Sequence, residues 1–298
     1  MTRRDLITLP ALYAQPADRS SRFVKSICSV IFPQGTPYAE CFRLARKAGF
    51  EAIEIRMEEK GEITPETTPE QARRIGDAAR AERIKIASLW VLTPGAPSLA
   101  SPETTERSRA LKRLQAGIEL APPLGCGALL AIPGVTGRGA RFQATHDEAW
   151  ERGSAAFRDA LPAAARAKVM LTPENGWSKF LVSPRDMREF IDQFRSPWVQ
   201  AHFDVGNVMQ FGYPQDWILT LGHRIRRVHV KDYKLSSGGA QGRFVPLFEG
   251  DVQWKEVMEA LVKVGYRGYI SPEISASPAE PDALQQASRN LDRILSLV

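Results

Sequence analysis

Ser29-Val30-Ile31-Phe32-Pro33-Gln34-Gly35 carries the chain out of its first β-branched run, and its content separates the two folds that repeated strand–helix units can build. A doubly wound open sheet usually places a glycine-rich, phosphate-binding turn at this point. The stretch holds no GxGxxG pattern, so the expectation is the closed alternative, an α/β fold of one domain, the (β/α)8 TIM barrel. The runs on either side agree. Short apolar or β-branched segments recur at Ser26–Ile31, Glu51–Arg56, Ile84–Leu89, Ala128–Ile132, Val169–Thr172, Trp198–Phe203, Ile225–Val230 and Gly268–Ser271. Longer segments with apolar residues at helical spacing lie between them, as in Tyr38, Cys41, Phe42 and Ala45 or Val257, Leu261 and Val264. Gly49, Gly125 and Gly265 fall where those helices should stop. Two long connections stand out, Leu92–Pro102 and Ser236–Gly250, and the first is placed to overhang the strand ends.

The chain of 298 residues has the length of one such barrel, for which about 250 residues is typical. The expected division is an N-terminal extension over 1–24 and a barrel over 25–298. At 43% hydrophobic and 25% charged, with no apolar run near the ~20 residues that span a bilayer, a membrane-spanning protein is excluded. The net charge of +6 permits an anionic partner, but Lys and Arg are scattered rather than clustered, so neither nucleic acid nor a membrane surface is expected. Cys28, Cys41 and Cys126 lack CxxC spacing and read as reduced core residues. Thr2-Arg3-Arg4-Asp5-Leu6 and the apolar residues after it look like a twin-arginine leader in miniature, short and broken by Pro10. Cytoplasmic residence is the expectation and twin-arginine export the alternative.

Active sites of such barrels lie at the C-terminal ends of the strands, so polar residues that end apolar runs carry the functional signal. Four successive runs end this way, in Glu174, Asp204, His229 and Glu273. Any one of these could be a helix cap or a solvated loop group. Together they are harder to dismiss, because neighbouring strand ends converge and three carboxylates would repel one another without a cation among them. The expectation is one divalent metal ion, Mn²⁺ first, with Zn²⁺, Co²⁺ and Mg²⁺ also compatible with carboxylate and imidazole ligands. His202 and Asp232 are candidates to orient those ligands by hydrogen bonds, although for His202 a satisfied core histidine is the first reading. Trp90 and Trp177 are candidates for an apolar wall against a sugar, with core packing as the alternative.

Pro173-Glu174-Asn175, Phe203-Asp204-Val205-Gly206-Asn207, His229-Val230-Lys231-Asp232, Glu249-Gly250-Asp251-Val252 and Pro272-Glu273 resemble, in order and spacing, the motif series of the sugar phosphate isomerase/epimerase family, the xylose-isomerase-like barrels. Within it the second half most resembles L-ribulose-5-phosphate 3-epimerases and hexulose-6-phosphate isomerases. The resemblance implies that Glu174, Asp204, His229 and Glu273 bind the metal and that Glu174 and Glu273 double as the acid/base pair. It also implies an isomerase that epimerises or isomerises a ketose or ketose phosphate through a metal-stabilised enediolate. Asn207 stands where tagatose-type epimerases carry a histidine, and Phe248 where the epimerase pattern has glycine, so a reshaped pocket is expected. Lys231, Arg243 and Glu249 are candidate substrate contacts, the two cations as a grip on phosphate.

A dehydratase acting on a keto-sugar or inosose would use the same parts and end in loss of a β-hydroxyl. An abasic-site endonuclease needs several zinc ions and more ligands than His146, His202, His223 and His229 can supply, so it is disfavoured. The expected partner is a small sugar or sugar phosphate, and self-association is left open.

Overall fold

The computed structural model describes residues 22–92, 95–138, 140–237, 241–275 and 282–298. Eight parallel strands form its centre: β1 (Phe23–Cys28), β2 (Ala52–Arg56), β3 (Lys85–Leu92), β4 (Ala128–Ala131), β5 (Met170–Thr172), β6 (Ala201–Asp204), β7 (Ile225–Val230) and β8 (Gly268–Pro272). They pair in the order β5-β4-β3-β2-β1-β8-β7-β6. The remaining seam between β5 and β6 is closed by two isolated parallel bridges, Leu171 with Val199 and Glu174 with His202. The expected barrel is therefore the observed one.

Helices α1 (Tyr38–Lys47), α2 (Pro69–Ala81), α3 (Thr104–Leu124), α4 (His146–Ala167), α5 (Pro184–Asp192), α6 (Pro214–Leu221), α7 (Trp254–Lys263) and α8 (Ala283–Leu295) follow the strands in turn. Their starts are written locally. Thr68 and Gln71 form a reciprocal capping box at α2, and Thr145 and Glu148 form another at α4. Each helix turns an apolar stripe inward, such as Trp254, Val257, Met258 and Leu261 on α7. Burying one such side chain is worth about 1.5–3 kcal/mol. The strands, covered by helices outside and packed side chains inside, are buried on both faces, which is why they read as continuous apolar runs.

Three strands, β1, β3 and β6, depart from the expected runs by more than a residue. β1 begins at Phe23, because Phe23–Lys25 pair with Gly268–Ile270 of β8, while Ser26–Cys28 pair with β2. The barrel thus starts before residue 25, and residues 1–21, including the twin-arginine stretch, lie outside the described residues. Ser29–Ile31 is a 3₁₀ turn that leaves the sheet once β1 has run out of partners. β3 extends through Trp90 to Leu92, with a register shift against β4 between Trp90 and Leu92. β6 begins only at Ala201, since Trp198–Gln200 reach β5 through single hydrogen bonds and not a ladder.

Candidate metal centre

Each predicted ligand stands at a strand end for a local reason. Pro173 stops β5 and leaves Glu174 at the mouth, while the Pro173 carbonyl accepts from the His202 amide at 2.9 Å. Asp204 ends β6 at the weak seam, where the Asn175 side chain does the work of the missing ladder. The Asn175 amide Nδ2 donates to the Asp204 carbonyl and its Oδ1 accepts from the Asp204 amide, both at 2.8 Å. Pro272 closes β8, and the Glu273 amide donates to the Val230 carbonyl at 3.1 Å, pinning Glu273 beside β7. Gly206 lets the turn after β6 run close to Lys231, whose backbone carbonyl would lie 2.6 Å from a Cβ placed there.

The four side chains converge. One ligand atom from each of Glu174, Asp204, His229 and Glu273 lies within 4.8 Å of all the others. His229 Nδ1 faces the three carboxylates, 3.0 Å from Glu174 Oε1, 3.5 Å from Glu273 Oε2 and 3.8 Å from Asp204 Oδ2. Asp204 and His229 have no exposed surface. Asp204 Oδ2 is a buried acceptor without a hydrogen bond, although the Lys231 ammonium sits 3.1 Å away. An orphaned carboxylate oxygen among two further carboxylates and an imidazole fits a hard or borderline divalent cation, which would supply the missing partner.

Electrostatics tell the same story. Burial drives the Asp204 carboxyl up to about 7, against the opposing pull of Lys231. Burial also raises Glu174, assisted by the negative charge of Glu273 and opposed by His229. Burial would raise Glu273 too, but Lys231 and His229 outweigh it and hold that carboxyl below its usual range. For His229 burial favours the neutral ring, yet Glu54 and Glu174 overcome it and hold the imidazole protonated well above its ordinary value.

Beneath the cluster is a residue that sequence reasoning missed. His229 Nε2 lies 2.9 Å from Glu54 Oε1, and Glu54 in turn accepts from Ser88 Oγ and from the Cys28 thiol at 3.4 Å. With Nε2 turned to a carboxylate, Nδ1 is the nitrogen aimed at the cluster. Cys28, Glu54 and His229 are themselves close enough to hold an ion. Burial keeps the Cys28 thiol protonated, so this second group acts as a hydrogen-bond support. The only sequence signal for Glu54 is a carboxylate inside the apolar run Ala52-Ile53-Glu54-Ile55.

The other predicted residues divide. Trp90, Trp177, Asn207 and Lys231 line a cavity of about 350 Å³ above the cluster, together with Ala96, Pro97 and Ser98 from the overhanging loop. Trp90 is buried, with its ring edge-on to His229 at 6.4 Å, and the Asn207 amide donates to Asp204 Oδ1 at 2.7 Å. Lys231 does not reach outward. It lies 2.5 Å from Glu273 Oε2 and 3.1 Å from Asp204 Oδ2.

His202 packs on His229 with ring centroids 4.1 Å apart and neither of its ring nitrogens hydrogen-bonded; burial, then the charge of His229, holds it neutral. Arg243 and Glu249 are exposed and outside the cavity lining, contrary to the expected substrate contacts. Arg243 belongs to the hairpin of Asp232–Leu235 and Gly242–Val245, where strand alternation turns Phe244 inward and Arg243 outward.

Asp232 does not orient a ligand either. Its carboxylate accepts from the amides of Tyr233, Phe248 and Val252 and from Trp254 Nε1, so it ties down the hairpin and the turn after it. Gly250 is required there, because a Cβ would lie 2.0 Å from Asp232 Oδ1. Phe248 leaves the pocket alone. It adopts left-handed backbone, φ 75°, a conformation that costs a non-glycine residue of order 1–3 kcal/mol, and its ring lies on Trp254 and under the Arg293 guanidinium.

Known proteins resemble the chain at several levels. A putative L-ribulose-5-phosphate 3-epimerase of Escherichia coli strain K12 is 28% identical over 257 residues, covering 81% of this chain and 85% of that protein. The solved D-psicose 3-epimerase of Clostridium cellulolyticum H10, determined with D-tagatose, superposes with a TM-score of 0.76 at 16% identity, over 92% of this chain and 99% of that one. An IolI protein solved with a bound zinc atom gives 0.73 at 16% identity, over 92% and 98%. At such identities the structural likeness speaks for the fold. The family model described as xylose isomerase-like TIM barrel matches residues 42–294, and with the strand-end motifs and the closed sheet already in place, the chain belongs to that family.

Proposed function

We propose that this chain is a metal-dependent isomerase that epimerises or isomerises a keto-sugar, with Glu174, Asp204, His229 and Glu273 as ligands and Glu174 and Glu273 as the proton-transfer pair. The observation that carries the reading is that Glu174 and Glu273 line one cavity and both approach the same imidazole nitrogen. The E. coli relative bears an epimerase name, which agrees with it.

A divalent ion, Mn²⁺ by preference, supplies Lewis acidity toward a ketone and its neighbouring hydroxyl. The protein residues do the rest. Glu273, held ionised by Lys231, is poised to take a proton from the carbon beside the carbonyl. Glu174, whose carboxyl burial raises, is poised to return one. Return to the opposite face of the same carbon inverts it, and return to the neighbouring carbon isomerises the sugar. Lys231, beside Glu273 and Asp204, stabilises negative charge that develops on substrate oxygen. Trp90 and the overhanging loop exclude water.

Wild-type protein loaded with Mn²⁺ should exchange a carbon-bound proton of a keto-sugar with D₂O, with no change in substrate mass beyond deuterium. Glu174→Gln and Glu273→Gln should each lower that exchange by roughly 10²–10⁴, with bound metal measured alongside. Full exchange in either variant would sink the mechanism, and loss of water from the substrate would replace it with the dehydratase chemistry that the same residues allow.

A further inference from the structure

We infer, building on the keto-sugar reading above, that the substrate carries an uncharged, apolar substituent in place of a phosphate, as a ring-keto glycoside does. The cavity keeps its charge at the bottom. Among the described residues lining it, Glu174, Glu273 and Lys231 are the charged ones, and no arginine is present. The Lys231 ammonium, 3.1 Å from Asp204 Oδ2, belongs to the ligand cluster where the reacting carbonyl must sit. A phosphate would hang from the far end of the sugar and would need a guanidinium fork, a free ammonium or several amide donors there. Beyond Ser98, Ser178 and Asn207, the described lining offers mainly aromatic and aliphatic surface.

Trp177 and Phe244 form that surface at the mouth. Their rings lie 5.1 Å apart, and they remain 51% and 42% exposed. Ile132 and Val135 are also in the lining. Paired exposed aromatics at the rim of a cavity mark a place for an apolar ligand face. A free ketose bears a hydroxyl on every carbon that could reach them, whereas a glycoside held with its ring ketone at the ligand cluster presents its aglycone to both rings.

The test uses Mn²⁺-loaded full-length protein and three probes: D-fructose, D-fructose 6-phosphate and phenyl 3-keto-β-D-glucopyranoside. Deuterium uptake should give a kcat/KM for the phenyl glycoside at least about tenfold above that for the phosphate. Trp177→Ala should lower that ratio about fivefold, the effect expected of one lost aromatic contact. A higher kcat/KM for the phosphate, or a ratio untouched by Trp177→Ala, overturns the inference.

If no probe takes up deuterium, the isomerase reading fails, and binding then decides the inference separately. Tryptophan fluorescence titration should show phenyl β-D-glucopyranoside binding more tightly than D-glucose 6-phosphate. The reverse order refutes it.

Discussion

The two halves of the barrel bring unlike materials to one cavity. Strands β5 to β8 end in three carboxylates and an imidazole, whereas β1 and β3 with β4 contribute Cys28, Trp90 and Leu130, a buried apolar cluster with Val30 and Ile132 packed on it. The difference teaches why the charged half works. A low-dielectric wall strengthens every electrostatic interaction beside it, and it makes a buried carboxylate oxygen without a hydrogen bond, such as Asp204 Oδ2, costly. Glu54 of β2 carries a charge across the division and reaches His229 from below.

The sharpest way to break the contrast is to make one change in each half. Asp204→Asn removes a buried carboxylate proposed as a ligand, and both bound metal and proton exchange should fall by about a thousandfold or more, read by elemental analysis and deuterium uptake. Leu130→Ala, on the apolar side, should leave the metal bound and instead cost about 2–5 kcal/mol of stability in denaturant unfolding. If the two changes had similar consequences, the division would be false.

Glu54→Gln tests the crossing. It keeps the shape of an acceptor but removes its charge, so metal affinity should fall about 10–100-fold by calorimetry, as expected for loss of a partner behind a ligating imidazole. An unchanged affinity would reduce Glu54 to packing.

The pH dependence is smaller and has a definite sign. Burial first, with the neighbouring carboxylates adding, raises Asp204 to about 7, and the acidic neighbours keep His229 protonated well above its usual range. Both must lose a proton to ligate, so metal affinity should weaken as pH falls, first through the proton on His229 and then through that on Asp204 below about 7, by up to about tenfold per unit for each proton displaced. Affinity that strengthens on acidification would contradict the ligand assignment. The smallest effect belongs to Arg243→Ala. Its side chain faces outward on the hairpin, and kcat/KM should stay within about twofold of wild type.

What the sequence disclosed follows from how far each signal is local. The strands were legible because both faces are buried, and Glu174, Asp204, His229 and Glu273 were legible because each breaks an apolar run at its end. Glu54 was not, since its meaning comes from His229, 175 residues away, and nothing near β2 announces that partner. Arg243 was misassigned because hairpin alternation, which turns Phe244 and not Arg243 to the cavity, depends on a pairing register that composition does not fix. Asp232 sits next to Lys231, which lines the cavity, yet its own partners are loop amides and the Trp254 indole, and a motif cannot distinguish a carboxylate that holds a loop from one that orients a ligand. Phe248 was misjudged for a backbone reason, as a left-handed φ swings its ring away from the space its size suggested.

Asp232 gathers both ends of the hairpin onto one carboxylate, a single residue from Lys231. The span between those ends, which carries Phe244, is therefore fastened like an interchangeable part. A lineage can rewrite its length and chemistry, and with them the choice of substrate, while the machinery under it is inherited unaltered.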